Sequence, residues 1–266
     1  MSAFFLVSLP VLLPALAQWA AVRNYAWSVR VDSKGYERDA GLDEGRALHH
    51  LLVETFGRQA LHPFRLFVAP QARRGHVYAY SQADAGTLRE IAHACALPEV
   101  TEICDLTQLA TKPMPVVWRS GRRLGFETRV RPVNRLLKPL PCSDGVFGKG
   151  AELDAFLVEA LRRFPSESSP EETMLEAGRS REAVYTDWLA NKLAGTATLA
   201  PGLRLTRFVR HRAARKGFSI EGPDVTLQGD LTIDNPERLQ ELLRVGVGRH
   251  KAYGYGMMLI RPSRNV

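Results

Sequence analysis

The stretch Leu242–Ile260, LLRVGVGRHKAYGYGMMLI, runs from the end of an amphipathic helix through a glycine-rich basic loop into an apolar strand. That order limits the possible folds more than any other feature of the chain. The dinucleotide fingerprint G-x-G-x-x-G follows a strand and opens a helix. Here the order is reversed, and Lys251 stands where the third glycine belongs, so a nucleotide-cofactor loop fits poorly. Gly246, Gly248, Gly254 and Gly256 allow positive φ and leave nearby N–H groups unshielded by Cβ atoms. Arg249, His250 and Lys251 sit between them, and Tyr253 and Tyr255 follow. Amides, cations and aromatic faces together suit a phosphate chain carrying bases. A plain glycine-rich turn between helix and strand is the competing reading.

The rest of the chain alternates strand and helix patterns. Tyr25–Ser33 alternates apolar and polar residues as a half-buried strand does. Asp43 is placed to cap a helix that runs to about Phe56, with Leu48, Leu51, Leu52 and Val53 as its apolar stripe and Gly57 as its stop. Phe64–Pro70 and His76–Ser81 read as a hairpin around QARRG, followed by a helix over Ala83–Ala96. Leu124–Val133 alternates again, which completes strand, helix, strand, strand, helix, strand, the ferredoxin-like order. Pro139, Pro141 and a Ser-Asp-Gly turn then open a linker with one helical pattern, Ala151–Phe164, and a polar SESSPEE loop. After a helix over Arg181–Leu193, strands are expected at Leu203–His211, Phe218–Glu221 and Val225–Ile233, and a helix from Pro236 to Leu243. The fold class is therefore α+β: two ferredoxin-like (RRM-like) domains in tandem with a helical insertion. Residues 1–135 form the first domain with an extra apolar start, 136–181 the linker and insertion, and 182–266 the second domain, with its first helix missing or altered.

The net charge of +8 calls for an acidic partner, either nucleic acid or an anionic membrane face. Clustering says more than the total. Arg204, Arg207, Arg210, His211, Arg212, Arg215 and Lys216 fall between Leu203 and Ile220 with no acid among them. Such a run would repel itself unless something anionic bound there. Cys95, Cys104 and Cys142 are odd in number and lack C-x-x-C spacing, which argues against a disulfide framework or structural zinc and for a reducing cytoplasm. His93, Cys95 and Cys104 are read as structural positions rather than metal ligands. Ala3–Val22 carries no charge, but no basic residue precedes it, and Pro10 and Pro14 interrupt it. It is read as a buried strand near Phe4–Leu9 and a short apolar helix, not as an export signal or a membrane span.

Four segments together resemble the CRISPR-associated repeat-RNA endoribonucleases of the repeat-associated RNA-binding superfamily. They are HPFRLFVAPQARRGHVYAYS (His62–Ser81), RVRPVNRL (Arg129–Leu136), WLANKL (Trp188–Leu193) and GDLTIDNPERLQELLRVGVGRHKAYGYGMMLI (Gly229–Ile260). The likeness is strongest to the subtype E processing enzyme of type I systems. The apolar start and the insert around Ala151–Ser180 depart from that compact pattern, which leaves an outlying relative, such as the type IV processing subunit with its extra helical element, as the alternative resemblance. The resemblance implies that precursor CRISPR RNA is cut at the base of a repeat hairpin without metal or other cofactor. The upstream ribose 2′-hydroxyl attacks, leaving a 2′,3′-cyclic phosphate and a 5′-hydroxyl. It also implies that the hairpin product stays bound and that other effector-complex subunits are partners. The alternative it leaves open is a subunit that binds the hairpin without cutting it.

In the subtype E enzymes a histidine on the first helix acts as acid or base. Aligning that helix on Phe56 places this histidine at His49, with His50 one residue away as the alternative. Relatives often carry tyrosine three residues earlier, where this chain has Arg46. That share of the chemistry falls either to arginine as a phosphate clamp or to Tyr36, Lys34 or Arg38 from the adjacent loop, with Arg23 as a further cation. Arg207, Arg210, Arg212, Arg215 and Lys216 are expected along the RNA stem. They are joined by Arg129, Arg131 and the loop residues Gly246, Gly248, Arg249, His250, Lys251 and Gly254.

Overall fold

The apolar start folds as its pattern predicts. Phe5–Leu12 (β1) is a strand with Val7, Leu9 and Val11 buried, and Leu13–Val22 (α1) is a ten-residue helix. Pro14 stands in its first turn, where a missing N–H costs no helical bond. The structure, a computed structural model, describes residues 4–23, 27–31, 37–42, 44–215 and 218–263, and only the backbone at 27–31, 37–42, 211–215 and 218–221. No helix among the described residues is long and apolar enough to cross a membrane.

Trp27–Val31 (β2) and Glu37–Leu42 (β3) form a hairpin. Glu44–Phe56 (α2) follows, burying Ala47, Leu48, Leu51, Leu52, Thr55 and Phe56 along one side, and Gly57 at φ +84° ends it. Asp43, expected as its cap, lies outside the described residues. Phe64–Val68 (β4) and Arg74–Ser81 (β5) make a second hairpin. Ala85–Cys95 (α3), the short helix Pro98–Ile103 (α4) and the edge strand Ala110–Pro113 (β6) complete the unit. The first sheet runs β4-β5-β1-β6, antiparallel at every pairing. β1, α2, β4, β5, α3 and β6 are therefore the six elements of a ferredoxin-like unit.

Arg123–Val130 (β7) begins the second unit. An insertion follows, made of Val133–Arg135 (β8), Leu140–Cys142 (β9), Gly145–Phe147 (β10), Glu152–Asp154 (β11), Ala155–Arg163 (α5) and Pro170–Glu176 (α6). Arg181–Leu193 (α7), Ala197–Leu199 (β12), Arg204–Arg215 (β13) and Phe218–Ile233 (β14) come next. Pro236–Val245 (α8), capped by the Asn235 side chain, and Met258–Pro262 (β15) finish the unit. This sheet runs β15-β7-β14-β13-β2-β3, with β12 also beside β14. β7, α7, β13, β14, α8 and β15 repeat the order of the first unit.

Several elements sit differently from their sequence reading. β2, expected to be the first strand of the first unit, pairs with β13 of the second, aligning Val31 with Arg210. The strand read at Leu124–Val133 also belongs to the second sheet, aligning Val130 with Val225. Their places in the first unit are taken by β1 and β6. Alternation reports a half-buried strand but not the sheet that buries it. The second unit keeps its first helix, α7, because the insertion stands between that helix and β7. Phe218–Glu221 and Val225–Ile233 are one continuous strand, and the second half of SESSPEE opens α6 with Pro170 in its first turn.

The first core packs Leu16, Leu48, Leu51 and Leu88 against Val7, Leu9, Phe64 and Val77. The second packs Tyr185, Trp188, Leu189, Leu239 and Leu243 against Phe126, Val225, Leu227 and Leu231. Phe4 and Tyr80 reach from the first unit into that second core, and the Tyr80 hydroxyl donates to the Met258 carbonyl at 2.8 Å. A smaller cluster of Leu136, Leu140, Val158 and Leu161 holds the insertion.

Candidate functional site

Helical spacing sets His49 at the margin of the buried stripe of α2, half-buried, its ring centroid 5.6 Å from that of His50. Burial and then the neighbouring His50 lower its pKa below the ordinary imidazole value, so His49 is mostly neutral at pH 7. His50 is lowered too, by burial and then Arg46, with Glu54 opposing. His62, just before β4, is lowered by burial, then by Lys251, then by His49. It therefore lies within electrostatic reach of both.

Lys251 arrives there on the glycine loop. α8 ends at Gly246, the Val247 amide donates to the Gly256 carbonyl at 2.8 Å, and the Gly256 amide donates to the Arg129 carbonyl at 2.7 Å. Lys251–Tyr253 is a single 3₁₀ turn that packs directly on α2, where a Cβ on Gly45 would collide with the Tyr253 carbonyl. On its other sides the loop meets Pro63 at Gly246, Phe64 at Gly254 and Trp188 of α7 at Gly248. The amides of Val247, Tyr253, Gly254 and Gly256 are all committed inside the protein. The glycines thus serve close packing as much as exposure, and fewer N–H groups remain for phosphate than the sequence suggested. Gly248 has φ +76°, and a Cβ there would stand 2.9 Å from the Trp188 ring. Gly248→Val is expected to cost about 1–3 kcal/mol in chemical denaturation and to weaken hairpin binding in a gel shift.

A charged lattice covers the face of the second sheet turned away from its core. On β7, Phe126, Thr128 and Val130 point inward, whereas Glu127 and Arg129 alternate with them, and Arg131 follows directly after the strand. Arg129 grips Asp224 with two hydrogen bonds, at 2.8 and 2.7 Å, and Arg207 donates to the same carboxylate at 3.0 Å. Burial alone would raise the Asp224 pKa, but Arg129 and then Arg207 outweigh it and hold the group at about 2. Arg65 pairs with Glu127 at 2.6 Å. Arg129 also lies 4.7 Å from the Tyr255 ring centroid and Arg131 5.9 Å from it, which ties this face to the glycine loop.

Arg46, His49, Lys251, Gly246 and Gly254 thus gather where the two units meet, and Arg129, Arg131 and Arg207 share the sheet face beside them. The expectation that the run from Arg204 to Lys216 lacks acidic neighbours fails for Arg207 and Arg210. Their counter-charges are Asp224 on β14 and, at 2.7 Å from Arg210, Glu171 on α6. Arg249 and His250 engage Glu152 of β11 at 2.6 and 2.8 Å. Arg23 ends α1 over the Trp19 ring at 4.5 Å. Arg38 is on β3 and Arg212 and Arg215 are on β13, with side chains outside the described residues, as are Tyr36, Lys34 and Lys216 entirely. Sequence reading missed His62, Asp224, Glu171 and Glu152 as members of this site. Only His62, a titratable residue at the head of the His62–Ser81 hairpin, carried any local signal.

Two ferredoxin-like units in tandem, with a glycine-rich loop of the second packed on the histidine-bearing helix of the first, define the class of fold. The model of the CRISPR associated protein family matches residues 25–262, and the chain belongs to that family. Among solved structures, Thermus thermophilus Cse3 bound to an RNA representing a pre-cleavage complex is similar at TM-score 0.57 and 18% identity, covering 98% of this chain and 100% of that one. Escherichia coli K-12 Cas6e gives TM-score 0.53 and 20% identity over 90% of this chain and 98% of that one. A chain of a CRISPR RNA-guided surveillance complex gives 0.51 and 15% identity, over 89% and 100%. At these identities the likeness is one of fold. No sequence among the curated proteins matches the chain.

Proposed function

We propose that the chain is a metal-independent endoribonuclease that cuts precursor CRISPR RNA at the base of the repeat hairpin and keeps the product bound. The observation that carries this reading is the seat of Lys251–Tyr253 on α2, which gathers His49, His62 and Lys251 between the two units. A CRISPR endoribonuclease Cse3 of the same fold holds a 19 nt RNA, which supports it. The surveillance-complex chain supports other effector subunits as partners.

Neutral His49 takes the proton from the attacking 2′-hydroxyl, a role that its lowered pKa suits at pH 7. Lys251 meets the charge of the phosphorane. Burial lowers its pKa, which makes its ammonium a stronger proton donor to the leaving 5′-oxygen than a free lysine would be. Arg46, Arg23, Arg38 and Tyr36 are the remaining candidates for phosphate clamping or proton transfer. The stem is assigned to β13 and β14, with Arg207 and Arg210 meeting phosphates, with Arg129, Arg131, Arg212, Arg215 and Lys216 as the further candidate contacts, and with Gly246, Gly248, Arg249, His250 and Gly254 shaping the loop. Arg46, standing where relatives carry tyrosine, favours a second reading, a hairpin-binding subunit that does not cut.

Incubating the pure protein with a repeat hairpin in chelator separates the two. A 2′,3′-cyclic phosphate product supports the enzyme, tight binding without a cut supports the binding subunit, and a 3′-hydroxyl product overturns the chemistry. Neutralising Arg207, Arg210, Arg212 and Arg215 together is expected to weaken hairpin binding by on the order of a hundredfold at moderate salt. Because Asp224 and Glu171 lose partners in that variant, its thermal unfolding is measured alongside. Unchanged affinity would remove β13 from the RNA site.

A further inference from the structure

A second basic cleft lies on the other side of the glycine loop. It encloses about 910 Å³ and is lined by residues 133–140, Arg162 of α5, Lys192 of α7, Gly248 and Arg249. Arg135, Lys138, Arg162 and Lys192 are all exposed, and among the described residues none of the four forms an ion pair. The described lining residues include no carboxylate. Glu152, opposite Arg135 in the β8–β11 pairing, is already engaged by Arg249 and His250. This distinguishes the cleft from the sheet face, where Asp224 and Glu127 balance the arginines. Cations held in a concavity with low-dielectric walls raise the local concentration of anions.

We infer that this cleft, built largely by the insertion, holds the phosphates of the single-stranded RNA that flanks the hairpin, an assignment that rests on the proposed RNA substrate. Continuity argues for it. Gly248 and Arg249 line this cleft, while Lys251, two residues on, lines a cavity of about 690 Å³ together with His62, Arg58 and Arg244. A strand crossing the glycine loop at the cutting site passes from one basic hollow to the other. Lys192 lies 5.6 Å from the centroid of the Trp188 ring, on which Gly248 packs, so the cleft and the loop are mechanically one piece. Leu137 stands 82% exposed among the cations. Apolar surface beside positive charge suits an unpaired nucleotide, whose base is uncovered, better than a duplex, which presents phosphates and sugars. Guanidinium groups also match phosphate oxygens in a fork geometry.

The test substitutes Arg135, Lys138, Arg162 and Lys192 with glutamine. Fluorescence anisotropy then measures binding to four RNAs: the bare hairpin, the hairpin with a 5′ flank, the hairpin with a 3′ flank, and the unpaired flank alone. The wild type is expected to prefer a flanked hairpin over the bare one, and the variant to lose that preference, tenfold or more, with bare-hairpin affinity and thermal unfolding unchanged. The salt dependence of flanked binding should also flatten, by about 0.7 in the log–log slope for each phosphate that the variant no longer neutralises. Flank binding that disappears in the variant retains the cleft even if the hairpin is never bound, which would sink only the hairpin reading. Equal binding of every RNA by both proteins overturns the proposal and leaves the cations to an acidic segment of a partner protein.

Discussion

Replacing His49 with alanine is expected to slow single-turnover cleavage of the repeat hairpin by about 10²–10⁴-fold, the usual worth of a positioned proton-transfer group. Hairpin affinity stays near that of the wild type, because phosphate contacts supply most of the binding. The pH profile tests the assignment separately. A general base works only when deprotonated, so the wild-type rate rises with pH and levels off. Burial and His50 lower the His49 pKa, which puts the midpoint below 6.5, and the acid limb vanishes in the variant. Full activity in His49→Ala with an inactive His50→Ala would move the role one residue along α2. Full activity in both would transfer it to His62 or to the arginines and tyrosine named with it. A single 2′-deoxy nucleotide upstream of the cut should stop cleavage in every variant, since it removes the nucleophile.

Asp224→Ala is expected to destabilise the fold by about 3–5 kcal/mol, the cost of leaving a buried charge without its partner. Asp224 is 2% exposed and is held by both Arg129 and Arg207. Urea denaturation reads the loss, and a second change, Arg129→Met, should return part of it by removing the stranded cation. A fall of less than about 1 kcal/mol in the single variant would mean that solvent reaches the pair. The same carboxylate gives an acid dependence. Its folded-state pKa of about 2 lies below the unfolded value of 3.8, so its stabilisation is complete above pH 4 and is lost as pH falls towards 2. By linkage that contribution is on the order of 2 kcal/mol.

Local periodicity made the histidine helix readable: the stripe of Leu48, Leu51 and Leu52 fixed both its span and the marginal placement of His49. The apolar strand and the proline-started helix at the amino end were readable for the same reason, as was the Asn235–Pro236 start of α8. Partners distant in the chain were not readable. Arg207 and Arg210 look unopposed along β13 because Asp224 and Glu171 come from another strand and from the insertion. The alternation of Tyr25–Ser33 is genuine, but the neighbour that buries it, β13, lies far downstream. The glycine loop was correctly placed between helix and strand. Its close fit against Gly45, Pro63 and Trp188 depends on elements that its own residues cannot report.

The β2–β3 hairpin belongs by sequence to the amino-terminal half and by hydrogen bonding to the carboxy-terminal sheet. During synthesis it leaves the ribosome well before β13 has been made. At about 5–20 residues per second the wait is on the order of ten seconds or more. Pairings this far apart in the chain also slow refolding of the finished protein, because loop closure precedes any reward from pairing. A proteolytic or engineered cut anywhere between Leu42 and Arg204 would leave the second sheet depending on a strand pair from the other fragment. The two halves are thus expected to survive as a complementing pair rather than as independent proteins.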